Sequence, residues 1–256
     1  MIRNTFSILN GIGASKESRL WREGVLTWED FLSTDFPAGI SPGNKGLYDE
    51  KLTEASARLL EGDASFFSET LARTEHWRLF DRFSEHAVCL DIESNGLPAD
   101  SGGYVTVVGL YDGNRYTSLV RGRDLSAEAL SSALAGCKCL VTFYGSVFDV
   151  PFMEKALPGF RLGVPHFDLC FGLKRLGIKG GLKRIEGKFG IARDGDVEGM
   201  DGYEAVHLWH RAKRGDSRAL DLLVKYNRED TVNLWLIAHK TYRMLRESTG
   251  IMAHLP

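Results

Sequence analysis

The run HAVCLDIE, residues 86–93, sets the tightest condition on how this chain folds. It opens with the apolar residues of a buried strand and then places Asp91 and Glu93 two positions apart. In a strand, residues i and i+2 point to the same face. Burying one unpaired carboxylate is costly, and a second like charge beside it adds repulsion. Whatever packs on that face must bring positive charge to it.

The surrounding pattern defines the layers. Residues 1–85 contain no strand pattern before His86. Residues 7–33 read as short helices around a glycine turn, and 50–85 as a second helical stretch with apolar residues at helical spacing. The segment FPAGISPGNKG between them reads as a loop. From 86 onward, HAVCLDIES (86–94), YVTVVGLYDG (104–113) and RYTSLVRG (115–122) are strand candidates joined by Gly-containing turns, an antiparallel meander. A helix capped by Ser126, a fourth strand (138–145) and a helix over 147–157 follow. A fifth strand candidate ends at His166 and Asp168 in VPHFDLC, a pair that reads as local structure without a catalytic role. A long helix, roughly 217–247, closes the chain. This order predicts an α/β fold of ribonuclease H type: a mixed sheet flanked by helices over 86–250, with a small helical region at 1–85.

Composition excludes several classes. The chain has 256 residues, 43% hydrophobic and 26% charged, as in an ordinary soluble globule. No apolar run is long enough to span a bilayer, so no membrane partner is expected, and the N-terminus lacks the pattern of a signal peptide. Cys89, Cys137, Cys139 and Cys170 form no CxxC pair, which favours a reducing cytoplasm over a disulfide framework or a zinc site. The net charge of −2 argues against binding polyanions through bulk charge. Locally the balance differs: residues 171–193 carry seven basic side chains and one acid, Glu186. Lys174, Lys179, Lys183 and Lys188 in this stripe would suit a phosphate-tracking surface or, equally, a solvated helix face.

The second anomaly lies in the last helix. Leu223, Tyr226, Asp230, Leu234 and Ile237 recur at spacings of three and four and form one stripe. Four of them suit a core, and Asp230 does not. Asp149, after the fourth strand, fits a helix cap, because Ser146 three residues earlier completes a capping-box pattern. Together, however, Asp91, Glu93, Asp149 and Asp230 would converge at one edge of the sheet. Hard divalent cations, Mg²⁺ or Mn²⁺, relieve such a cluster because they prefer carboxylate oxygens.

These residues carry a resemblance. DIESNG at 91–96, YGSVFD ending at Asp149, and YNRED at 226–230 resemble the three motifs of the DEDD 3′–5′ exonucleases, the last in the form of their tyrosine subgroup. The context is similar to ribonuclease H-like exonucleases related to the proofreading domain of family B DNA polymerases, over about residues 86–245. The resemblance implies a two-metal-ion nuclease acting on a single-stranded 3′ end of DNA or RNA. Asp91, Glu93 and Asp230 would hold the first ion, Asp91 would bridge to the second, Asp149 would assist through water, and Tyr226 would orient the attacking water. Where the second motif often has an asparagine, this chain reads Tyr144-Gly145-Ser146, which leaves the gripping of the strand open. A non-catalytic nucleic-acid-binding module and a metal-dependent nucleotide hydrolase are the alternatives. The segment ILNGIGASKESRLWREG also resembles a helix-hairpin-helix whose Gly11 and Gly13 would offer amides to a phosphate. The acidic balance of residues 1–85 slightly favours a helical hairpin that only packs on the nuclease domain.

Overall fold

In a computed structural model, which describes residues 1–255, the sheet has five strands. They are β1 (Ala87–Ser94), β2 (Val105–Tyr111), β3 (Tyr116–Val120), β4 (Cys139–Thr142) and β5 (His166–Asp168), in the order β3-β2-β1-β4-β5. The hairpins make β1, β2 and β3 antiparallel, while the crossovers make β4 parallel to β1 and β5 parallel to β4. The mixed sheet read from the sequence is therefore present, and β1 lies at its centre.

The helices are α1 (Ala14–Arg22), α2 (Trp28–Ser33), α3 (Pro42–Glu61), α4 (Ala64–Thr70), α5 (Phe80–Phe83), α6 (Ala127–Ala133), α7 (Asp149–Ala156), α8 (Leu169–Arg175), α9 (Leu182–Phe189), α10 (Gly202–Ala212) and α11 (Ser217–Ser248). Alternation along β1 divides them between two layers. Leu90 and Ile92 pack with Leu130 of α6 and with Phe152 and Met153 of α7. Ala87 and Cys89 pack on the other side with Leu234, Ile237 and Ala238 of α11. The odd-numbered face continues to Asp91 and Glu93, so the two acids meet α11.

Helix α11 runs for 32 residues from an Asp216 N-cap, whose carboxylate accepts the Ala219 amide at 3.1 Å. Its buried stripe includes Leu223, Tyr226, Asp230, Leu234 and Ile237, as their spacing predicts. It also includes Asn227 and Thr231, which lie against Gly109 of β2, the residue paired with Asp91. Gly109 has no side chain, and that lets the helix approach the sheet here. One irregularity sits beside Glu93: the pairing steps from Glu93↔Val107 to Ser94↔Val105, leaving Thr106 as an extra residue on β2.

Three local expectations are corrected. The loop read at 36–46 already turns into α3 at Pro42, because proline's fixed φ suits the first helical turn. The second helical stretch is interrupted by 3₁₀ turns at Arg73–Leu79. Residues 7–11 form turns rather than a helix, so the hairpin around Gly11 and Gly13 has a helix, α1, on one side alone. The cause is Glu17 of α1, whose Oε1 accepts the amides of Phe6 at 2.7 Å and Ser7 at 3.2 Å. Arg78 closes a buried pair on the same carboxylate at 2.9 Å and 3.2 Å, binding the segment into a compact bend.

Phe67, Trp77 and Phe80 join the same apolar cluster as β1, Phe167 and α11. Residues 1–85 thus share a core with the sheet, and His76 accepts the His166 amide at 3.1 Å.

The contact at Gly109 yields a prediction. A Cβ there would collide with Asn227 Oδ1 and Thr231 Oγ1. Gly109→Ala should lower stability by about 1–3 kcal/mol, as overpacking does. Chemical denaturation of the two proteins measures this, and an unchanged midpoint would show that α11 has slack over the sheet.

Candidate metal centre

The site is built where β1, β4 and α11 meet. Single carboxylate oxygens of Asp91, Glu93 and Asp230 lie within 4.8 Å of one another. Glu93 and Asp230 are each 8% exposed, and Asp91 is part-buried. Asp149, the first residue of α7, stands outside this trio but lines the same cleft of about 290 Å³. Its Oδ1 accepts the amide of Ile92 at 3.1 Å, the residue between the two strand acids. The capping box read from Ser146 is absent: Ser146 donates instead to Asp168 at 2.6 Å, and no side chain caps α7. Asp149 is turned toward the strand because Ile92 offers it an amide.

The electrostatics show what the cluster lacks. Burial, reinforced by the neighbouring acids, holds the Asp91 and Glu93 carboxyls well above the usual carboxylate range. Burial pushes Asp149 up to about 7, against the opposing Ile92 amide. Asp230 is also raised by burial, although Arg193 works against the shift. Four acids are therefore gathered with too little positive charge to ionise freely.

Two neighbours were not singled out by the sequence reading. Arg193 donates to Asp230, and Glu186 holds its guanidinium by two bonds of 2.7 and 2.8 Å. One further guanidinium nitrogen, Nη1, is buried without a partner. Asn227 donates to Asp91 Oδ2 at 3.0 Å and to the Asp91 carbonyl at 3.3 Å, while the Tyr116 hydroxyl donates to its Oδ1 at 2.9 Å. A polar residue on the apolar stripe, beside Tyr226, was the available signal for Asn227. Nothing in the basic segment set Arg193 apart from the lysines.

Tyr226 lies in the same cleft, one turn before Asp230, and burial, reinforced by the Asp230 charge, raises its hydroxyl above the usual tyrosine range. The lysines divide. Lys183 is part-buried with its Nζ 5.2 Å from the Tyr226 ring centre. Lys174 and Lys179 line a hollow that shares Phe143 with the cleft. Lys188 is exposed in the last turn of α9. Gly11 and Gly13 are exposed in the bend next to α1 and are not among the residues lining the cleft.

The donor set fits hard divalent cations: all its ligand atoms are carboxylate oxygens, and the acids are short of positive charge. Neither a cysteine nor a histidine joins the trio, as a zinc site would favour.

A family model described as the RNase_H superfamily matches residues 88–242. No curated protein matches the chain. Among solved structures, the chain is similar to the family B DNA polymerase of the hyperthermophilic archaeon Pyrobaculum calidifontis. The identity is 17% and the TM-score 0.49, over 60% of this chain and 24% of the polymerase chain. The present chain thus spans about a quarter of that polymerase chain. The family match runs from the strand that carries Asp91 to the helix that carries Asp230, well over half of the sequence. On that match, the chain belongs to the RNase H superfamily.

Proposed function

We propose that this protein is a metal-dependent nuclease that removes nucleotides from the 3′ end of DNA or RNA, in the manner of the DEDD exonucleases its motifs resemble. The observation that carries the reading is the convergence of Asp91, Glu93 and Asp230 oxygens within 4.8 Å, two from the central strand and one from the covering helix. A binding module would gain nothing from gathering acids at such electrostatic cost. Two Mg²⁺ or Mn²⁺ ions held there would neutralise the carboxylates and stabilise the attacking and leaving oxygens of a phosphodiester.

The residues divide the remaining work. Asp91, Glu93 and Asp230 would hold one cation, and Asp149, on the other wall of the cleft, would help to hold the second. Asn227 fixes the Asp91 carboxylate, so its free oxygen keeps one direction. The Tyr226 hydroxyl, placed beside Asp230, orients the attacking water. Lys183 brings positive charge to the same side, where a phosphate would lie.

Cleavage of end-labelled strands should require Mg²⁺ or Mn²⁺ and cease in EDTA. Asp91→Asn should slow it at least roughly 100-fold. The metal-free variant should melt no lower than the wild type, because one like charge has gone. Full activity in Asp91→Asn would end the reading.

Tyr226→Phe deletes only a hydroxyl. Single-turnover rates should fall roughly 10- to 1,000-fold, with strand affinity and melting temperature nearly unchanged. A fully active variant would remove Tyr226 from the chemistry.

The raised carboxyls also fix a pH dependence. Asp149 binds its proton more tightly folded, at about 7, than at its ordinary 3.8. Its contribution to metal-free stability is therefore complete below the ordinary value and is lost as pH climbs toward about 7. Asp149→Asn keeps an oxygen for the Ile92 amide and has no proton to lose. In EDTA, the wild type should lose stability relative to this variant between about pH 4 and about pH 7. Melting curves that stay parallel across that range would contradict the assignment.

A further inference from the structure

Tyr144 is the one non-glycine residue with a left-handed backbone among the described residues, at φ 68°. An aromatic residue adopts that conformation at a cost, so something must hold it there. Asp168, 8% exposed at the end of β5, supplies most of the hold. It accepts the Tyr144 amide at 2.9 Å, the Ser146 amide at 3.0 Å and the Ser146 hydroxyl at 2.6 Å. Thr142 accepts the Gly145 amide at 3.1 Å and is itself bonded to the His166 ring at 2.7 Å. A Cβ at position 145 would collide with Thr142, so the glycine is required as well. The pair His166 and Asp168, read from the sequence as local structure, thus acts as a clamp on this loop.

The clamp does not bury the tyrosine. Tyr144 is 47% exposed, and its ring lies 6.0 Å from that of Phe171, 42% exposed, at an angle of 28°. The Tyr144 side of the pair lines the cleft with Asp91, Glu93, Asp149 and Asp230. Lys174 lies on α8 with Phe171, and Lys179 follows in the loop to α9. A strained backbone, braced by a buried acid, therefore keeps two flat apolar rings in solvent beside a metal centre.

We propose that Tyr144 and Phe171 form a stacking platform for an unpaired nucleobase of the strand whose end enters the carboxylate cleft. The carboxylates repel a bare anion, so an uncharged part of the nucleotide must provide grip beside them. Every base has a π-face that aromatic rings accept, but a base within a duplex has both faces covered. Lys174 and Lys179 suit the phosphates that follow. The platform occupies the position where the resembled motif often has an asparagine, and it makes single-stranded ends the substrate class. This inference rests on the nuclease reading.

The test uses the full chain in EDTA and fluorescence anisotropy with short single-stranded DNA and RNA. One set of strands is intact, and another carries abasic sites at its 3′-terminal nucleotides. Tyr144→Gly is the informative variant, because glycine tolerates the left-handed backbone. It should melt at or above the wild-type temperature and bind intact strands roughly 5- to 100-fold more weakly. Phe171→Ala should weaken binding in the same range, and Tyr144→Trp should retain it. On abasic strands the wild type should fall to the level of Tyr144→Gly. Unchanged affinity in both Tyr144→Gly and Phe171→Ala would overturn the platform and leave the nuclease reading standing. So would a Tyr144→Gly protein that melts well below wild type, since the ring would then serve packing. A wild type that binds neither DNA nor RNA in EDTA would also overturn the platform, whereas the nuclease reading stands or falls on the metal-dependent cleavage of end-labelled strands.

Discussion

Repulsion among buried carboxylates is the condition to which the rest of this structure answers. Asp91 and Glu93 occupy the inward face of the central strand, and Asp230 comes down on them from α11, which packs on that face. Each of the three is shifted toward its neutral form, first by burial. The nearby groups make sense as responses to that shift. Arg193, fixed by Glu186, pairs with Asp230, while Asn227 donates to Asp91. Gly109 gives Asn227 room to do so. These contacts offset part of the repulsion and leave a cluster short of positive charge, which suits a hard cation.

A second network, built from neutral and singly charged groups, serves the rim. His76, from the 3₁₀ turn that precedes the sheet, bonds its ring to the Leu71 carbonyl at 3.0 Å and accepts the His166 amide. His166 reaches Thr142, and Asp168 gathers the loop that follows β4. Burial lowers the His166 ring to about 4, so this link stays uncharged at neutral pH. The helical region at 1–85 is thereby tied to the edge of the cleft through hydrogen bonds as well as through the shared apolar core.

Much of this was legible in the sequence because it follows from short-range periodicity. The alternation in CLDIE placed Asp91 and Glu93 together, and the three-four spacing on the last helix placed Asp230 beside Tyr226. The meander, the crossover and the short fifth strand were likewise carried by local apolar runs and turns. What escaped depends on contacts between segments far apart in the chain. The sequence reading places a short helix at residues 7–11, yet the amides of Phe6 and Ser7 are drawn to Glu17, which Arg78 fixes from 61 residues away. Ser146 has the spacing of a cap for Asp149, but Asp168 competes for its hydroxyl. Arg193 lies in a basic run whose members look alike until α11 selects one of them for Asp230.

The origin of the site's two halves bears on how the chain reaches this state. β2 pairs with β3 across a four-residue turn and with β1 across a ten-residue loop, whereas Asn227 and Asp91 are separated by 136 residues. Hairpins close quickly, whereas contacts across so long a loop form late because the chain must first be ordered between them. Until α11 docks, the acids of β1 and α11 stay apart and hydrated. The docking step therefore gains the apolar stripe of α11 and meets the charge repulsion at the same moment. On the proposed metal-binding reading, a divalent cation would act on that docking step, where the apolar gain and the charge repulsion meet.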